Sequence, residues 1–305
     1  MIEAHGLVKR YGATTAVNDL SFSIRPGLVT GFLGPNGAGK TTTMRMILGL
    51  DAPTQGSVTV DGRSYRDLPA PMHEVGALLD AKALHGGRRA FDHLLCLAQS
   101  NGIARRRVDE VLRTVGLEDV ARRRVKGFSL GMSQRLGIAA ALLGDPAVLI
   151  FDEPVNGLDP DGIHWVRTLM RSLAAEGRTV LVSSHLMSEM ALTAEHLLVI
   201  GKGRLIADAS VDEFVRSSSQ RSVHVRSPQA AELAARCREA GAGVQAGTDS
   251  DVIEITGMDS AEVGKLAAAH GTVLFELTPV KASLEDAFME LTRDSVEYQA
   301  AGATR

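Results

Sequence analysis

The sequence predicts an α/β fold followed by a small α+β domain, and three observations carry that prediction. Continuous apolar runs ending in glycines or acids alternate with segments of helical periodicity. A polar stretch, Arg216-Ser217-Ser218-Ser219-Gln220, interrupts the pattern. Beyond it, short strands and helices alternate again with a different composition.

In chain order, Leu28 to Leu33 reads as a buried strand, and Thr41 to Leu50 as a helix with Met44, Ile47 and Leu48 on one face. Val58-Thr59-Val60 before Asp61-Gly62 reads as a strand and turn. Residues from about Arg88 to Gly127 carry mostly helical spacing, as in Val108, Val111, Leu112 and Val115. Ala147 to Phe151 and Thr179 to Ser183 are two further continuous apolar strands, which calls for a sheet covered on both faces. After the polar break the order is strand (Ser222 to Val225), helix (Gln229 to Ala240), strand (Val252 to Thr256), helix (Ala261 to His270) and strand (Thr272 to Thr278). A last helix begins after Ser283, with Asp286 as its capping partner and Leu284, Ala287, Phe288 and Leu291 on one face.

The chain has 305 residues, 45 % of them hydrophobic and 23 % charged, with a formal net charge of −3. That excludes disorder as the dominant state and leaves room for a large domain plus a small one. No run of 18 apolar residues occurs; Leu136 to Phe151, the nearest approach, is broken by Asp145-Pro146. The N-terminal MIEAHGLVKRYG lacks the basic start and apolar run of a signal peptide, and two cysteines, Cys96 and Cys237, make no disulfide framework. A cytoplasmic protein is the resulting expectation, and the charge gives no sign of nucleic-acid binding. Charge is uneven: residues 81–127 hold 11 Lys/Arg against 5 Asp/Glu, and residues 221–305 hold 8 against 13. The runs Arg105-Arg106-Arg107 and Arg122-Arg123-Arg124 fit either a solvated helical face or a surface for a partner or anionic headgroups.

The strongest local signal is Gly34-Pro35-Asn36-Gly37-Ala38-Gly39-Lys40-Thr41, a match to G-x-x-x-x-G-K-[ST] placed between a strand and a helix. Glycines let backbone N–H groups turn inward around phosphate oxygens, and the helix that follows points its positive end at the same anions. Lys40 is expected to reach the β- and γ-phosphates, and Thr41 Oγ1 to ligate Mg²⁺. Val148 to Phe151 followed by Asp152-Glu153 matches a Walker B strand, with Asp152 expected to hold Mg²⁺ directly or through water and Glu153 placed to polarise an attacking water.

With these motifs in place the chain resembles the ATP-binding subunit of ABC transporters. The segments Gly34 to Thr42, Phe128 to Arg135, Phe151-Asp152-Glu153-Pro154, Asn156-Gly157-Leu158-Asp159 and Ser183-Ser184-His185 follow in that family's order over residues 1 to about 215. The fold implied is a P-loop NTPase of ABC type: a RecA-like core in an ATP-binding domain at 1–216, with a helical subdomain at about 81–144. A linker at 217–220, an accessory α+β domain at 221–293 and a tail at 294–305 complete the expected organisation. The resemblance implies ATP and Mg²⁺ as ligands and a nucleotide site built on Gly34, Asn36, Gly37, Ala38, Gly39, Lys40, Thr41 and Thr42. It also implies that Tyr11 stacks on the adenine, against the plainer reading of an ordinary core or edge tyrosine. Asp159 would link two sites across a dimer, and His185 would contact the γ-phosphate beside the catalytic Glu153. Ser129 and the Gly131 amide would cap the γ-phosphate of the ATP held by the opposite subunit. Because one chain carries one phosphate loop and one signature segment, the resemblance implies a nucleotide-dependent homodimer.

Two departures from the family pattern stand out. The usual L-S-G-G-Q signature here has Leu130 for its first glycine and Met132 for its glutamine. Asp80 stands where the Q-loop glutamine is normal; a carboxylate accepts hydrogen bonds but does not donate them, so Asp80 is a possible partner of the Mg²⁺-water shell. Both changes resemble the branch of ABC-2-type exporters that includes antibiotic self-resistance and drug-efflux ATPases, whose members also carry a C-terminal extension. The implied function is export through a separate transmembrane permease, docked by the segment from Asp80 to Leu97, with the chain peripheral at the inner face of the cell membrane. One alternative is an ABC ATPase acting on DNA or ribosomes, which the single cassette and the 112 positions between Lys40 and Asp152 disfavour. Another is a nucleotide sensor with little turnover, motivated by Leu130, Met132 and Asp80 but opposed by Lys40, Asp152, Glu153 and His185.

Overall fold

The computed structural model describes residues 1–217, 222–247, 249–280 and 283–292. Among these, contacts divide the chain into one compact unit from Met1 to Ser210 and a second beginning at Val211. Of the expected linker at 217–220, Ser217 closes a helix of the second unit and the other positions lie outside the described residues. The expected tail at 294–305 also lies outside them.

The first unit runs through strands β1 (Ile2–Tyr11), β2 (Thr14–Ile24) and β3 (Val29–Leu33), helix α1 (Lys40–Ile47) and strand β4 (Gln55–Val60). A short α2 (Pro71–Glu74) leads into β5 (Val75–Leu78), and a helical insertion follows: α3 (Ala90–Ser100), α4 (Arg106–Thr114) and α5 (Leu130–Leu142). Then come β6 (Val148–Phe151), α6 (Pro160–Ala175), β7 (Thr179–Ser183), α7 (Met187–Thr193), β8 (His196–Gly201) and β9 (Arg204–Ser210). Strand β1 sits between β2 and β4 in an antiparallel sheet. The second sheet has the order β5-β6-β7-β3-β8-β9, parallel throughout except for β9. Its central strands are buried along their whole length, with Val148, Leu149, Ile150 and Phe151 fully inaccessible, which is why they read as unbroken apolar runs.

This topology decides where a site forms. Strands β6, β7 and β3 are neighbours, so their carboxyl ends place Asp152, Ser183 and the glycine loop side by side. The helical insertion is less continuous than its periodicity suggests. Single 3₁₀ turns at Glu118–Val120 and Val125–Gly127 replace helix in its second half. Arg107 is tied down by Glu110, Asp145 and the carbonyls of Leu142 and Leu143, and Arg105 lies over the Phe91 ring, so part of the first arginine run holds the insertion together.

The second unit contains α8 (Val211–Ser217), β10 (Ser222–Arg226), α9 (Ala230–Glu239), β11 (Gly243–Ala246), β12 (Val252–Thr256), α10 (Ser260–Ala269), β13 (Glu276–Val280) and α11 (Leu284–Thr292). From β10 to β13 the order is β-α-β-β-α-β, folded into an antiparallel sheet β11-β12-β10-β13, the split βαβ arrangement of ferredoxin-like domains. Alternate residues Val223, Val225, Ile253 and Ile255 face the helices, where Leu233, Cys237 and Val263 complete a closed core. Strand β11 is absent from the sequence reading because Gly-Val-Gln-Ala offers a single bulky apolar side chain. The Ser283–Asp286 cap forms as the spacing predicts, the Asp286 amide donating to Ser283 Oγ at 3.0 Å while the Ser283 amide donates to Asp286 Oδ2 at 3.0 Å. Cys96 and Cys237 are both free thiols. Among the described residues, no helix is long and apolar enough to cross a membrane.

Candidate active site

At the carboxyl end of β3 the chain turns through Gly34 to Gly39 and enters α1 with no side-chain cap. The first-turn N–H groups of that helix are therefore left for an external acceptor. Gly39 makes this entry possible: its φ is 103°, and a Cβ there would lie 2.5 Å from the Ala16 carbonyl oxygen. Lys40 follows and is 9 % exposed. Its ammonium donates to the Gly34 carbonyl at 2.6 Å and the Pro35 carbonyl at 3.2 Å. Burial holds its pKa below the usual lysine range, against the opposing pull of Glu153 and Asp152.

Around this loop lies a cleft of about 330 Å³, lined by residues 36–42, Ala16, Leu79, Asp152 and Glu153. Thr41 Oγ1 donates to Asp152 Oδ2 at 2.7 Å. Ser183 Oγ donates a short hydrogen bond to the other Asp152 oxygen and accepts one from the Glu153 amide at 3.0 Å. The Asp152 amide donates to the Leu78 carbonyl at 2.8 Å, which pins the end of β6 against the end of β5. Glu153 itself adopts a left-handed conformation, φ 51°, rare for a side chain of this size. Its carboxylate accepts from His185 Nδ1 at 2.7 Å and from the His185 amide at 3.3 Å. The shorter contact requires the proton on Nδ1. Two hard oxygen donors, Thr41 and Asp152, face a polar cleft here. That set suits a magnesium ion, which is commonly held by one or two protein oxygens and completed by phosphate and water.

The remaining predicted residues lie outside this lining. Tyr11 is 48 % exposed, and its hydroxyl donates to Asp51 Oδ2 at 2.9 Å. Asp51 in turn receives Arg45 of α1 at 2.8 Å, and the Arg45 and Tyr11 bonds lower its pKa to about 2. Partial burial, followed by the bond to Asp51, raises the Tyr11 phenol above its ordinary value. Asp80 uses Oδ1 to accept from the Lys82 amide at 2.7 Å, a local turn bond, and it is not among the residues that line the cleft. Ser129 caps α5 by accepting from the Met132 amide at 3.1 Å, and Asp159 caps α6 by accepting from the Gly162 amide at 2.9 Å. Gly131 lies in the first turn of α5 and, like Ser129 and Asp159, is not among the residues that line the cleft. Sequence reasoning did not single out Ser183 as a site residue. Its signal was present in the Ser-Ser-His triplet closing a buried strand, but only the adjacency of β6 and β7 shows that this hydroxyl joins the two acids.

Comparison with known proteins gives the family and the fold. Residues 17–156 match the family model described as ABC transporter, and residues 221–285 match a domain of unknown function. An ABC transporter ATP-binding protein of Bacillus subtilis, YhcH, is 36 % identical over 301 residues, 97 % of each chain. The chain belongs to the ABC transporter ATP-binding proteins. Within that family it is 41 % identical over 217 residues to the bacitracin transport ATP-binding protein BcrA of Bacillus licheniformis, covering 70 % of this chain and 71 % of that one. The lantibiotic transport ATP-binding protein SrtF of Streptococcus pyogenes is 38 % identical over 214 residues, 70 % of this chain and 92 % of its own. Among solved structures, the ATP-binding subunit of an ABC transporter superposes with a TM-score of 0.63 at 29 % identity, covering 71 % of this chain and 92 % of that one. A dimeric bacterial ABC transporter cassette gives the same TM-score at 25 % identity, covering 69 % of this chain and 98 % of its own. This ABC transporter ATP-binding protein therefore has the cassette fold over its first unit.

Proposed function

We propose that the chain is the ATP-hydrolysing subunit of an exporter, driving a substrate through a separate transmembrane permease at the inner face of the cell membrane. The observation that carries this reading is the clamp of Asp152 and Glu153 by Ser183 and His185 at the mouth of the phosphate cradle. A nucleotide store or sensor has no need of a carboxylate held in a strained conformation beside the metal-ligand oxygens. The loop amides and Lys40 bind the phosphates, with the ammonium exchanging two loop carbonyls for phosphate oxygens. Thr41 and Asp152 would hold Mg²⁺, which would supply positive charge against the phosphates. Glu153 takes the proton from the attacking water, and His185 keeps its carboxylate aimed. Tyr11 offers an aromatic face for the adenine, steadied through Asp51 and Arg45.

Ser129, Gly131 and Asp159 stand apart from their own chain's cleft, which fits a role at the site of a second copy, closing two ATP molecules between two chains. The dimeric cassette relative supports the homodimer, and a 37 % identical relative from Cupriavidus pinatubonensis, the Nod factor export ATP-binding protein I, supports the export direction. Ser183→Ala is expected to lower turnover by about 10- to 100-fold, because it frees the Asp152 carboxylate and the Glu153 amide at once, while leaving ATP affinity nearly unchanged. Steady-state kinetics and a binding titration check this.

Affinity capture of the full chain from solubilised membranes of its own cells tests the export reading. A multi-span membrane protein is expected to co-purify and to raise ATP turnover. Capture of ribosomes or DNA instead, with no membrane protein, would contradict it.

A further inference from the structure

The N-terminal end of α5 and the loop between β6 and α6 interlock through two leucines and two glycines. Leu130, standing where the family signature has glycine, lays its side chain over Gly157. A methyl group on Gly157 would overlap Leu130 Cδ2 and lie 2.7 Å from its Cγ. In the reverse direction, Leu158 Cδ2 sits 3.2 Å from where a Cβ of Gly131 would be. One turn further along α5, Gln134 is 3 % exposed and donates through Nε2 to the Glu153 carbonyl at 3.2 Å. Positions 130 and 134 share one helix face, so that face grips segment 153–158 at both ends.

The segment needs an outside grip. Glu153 adopts a left-handed conformation, φ 51°, costly for a residue with a side chain, and such a state persists where the surroundings over-determine it. Leu130 remains 44 % exposed, so burial of its own surface does not explain its placement; the fit over Gly157 does.

We propose that Leu130 is a positioning residue. Through Gly157 it locks the loop carrying Glu153 and Asp159 to the helix that begins at Ser129, so that the ATP-capping end of α5 and the loop move as one piece. The departure from the usual signature is then the gain of a contact within the chain. This deepens the ATP-hydrolysis reading above and rests on it.

Gly157→Ala tests the lock, since it forces Leu130 aside; the Gly157 φ of 73° also strains any side chain placed there, so only the part of the loss that Leu130→Ala recovers belongs to the overlap. ATP affinity is expected to stay within about twofold of the parent while turnover falls about tenfold or more, the mark of lost positioning with binding retained. Hydrogen exchange at the Asn156, Leu158 and Gly162 amides is expected to quicken in the nucleotide-free protein. Adding Leu130→Ala to Gly157→Ala relieves the overlap and is expected to restore turnover by about threefold or more over Gly157→Ala alone. Parental turnover and exchange in Gly157→Ala, or a double variant no faster than the single one, would overturn the proposal. Should Gly157→Ala fail to fold, Leu130→Gly replaces it: faster exchange over 156–162 at unchanged ATP affinity supports the lock, and unchanged exchange overturns it. If the parent itself shows no turnover, the ATPase reading fails, and the exchange rates still decide the contact.

Discussion

Glu153→Gln is expected to abolish most ATP turnover, by about 10²- to 10⁴-fold, while ATP still binds. The amide matches the carboxylate in size, and its oxygen still accepts from His185 Nδ1, so the loop keeps its shape. What the amide lacks is basicity, and proton abstraction from water is the step assigned to Glu153. A coupled assay of phosphate release, run beside a nucleotide-binding titration, separates the two effects. Turnover within twofold of the parent would remove Glu153 from the chemistry and leave its hydrogen bonds to His185 without a functional account.

Lys40→Ala is expected to weaken ATP binding by about 10- to 100-fold, the loss of one charge-assisted contact to phosphate in a dry setting. The nucleotide-free protein should not melt earlier for want of the ammonium's charge. Burial depresses the Lys40 pKa, so the charged form is disfavoured in the fold; that cost is present below the depressed pKa and relieved as pH rises through it. Removing the charge removes the cost along with the bonds to Gly34 and Pro35. Isothermal titration with ATP and a thermal melt without it therefore give opposite answers: affinity drops and the melting point holds. A matched fall in both would mean that Lys40 is chiefly structural.

Much of this site was legible before any coordinate was known, because phosphate binding imposes local spacing. Gly39, Lys40 and Thr41 must be consecutive for a loop to become a helix facing an anion, and the structure places them so. Asp152 and Glu153 were legible because a strand buried on both faces must be apolar until it ends. Residues brought in from elsewhere were harder to read. Ser183 joins the acids only because β7 lies beside β6, and Asp51 meets Tyr11 across 40 positions of chain. The strands β1 and β2 also escaped notice, since an antiparallel pair with one solvated face mixes polar residues among its apolar ones. Leu130 looked like a flaw in the signature. Only its seat over Gly157 shows what the larger side chain touches.

The central claim is that one chain holds half of each ATP site. It is tested most directly by the mass of Glu153→Gln in solution, measured by light scattering during gel filtration with and without ATP and Mg²⁺. A monomer that becomes a dimer only with ATP, and stays a monomer when Ser129→Ala is added, is the predicted result. A mass unchanged by ATP at concentrations that saturate binding would contradict the claim.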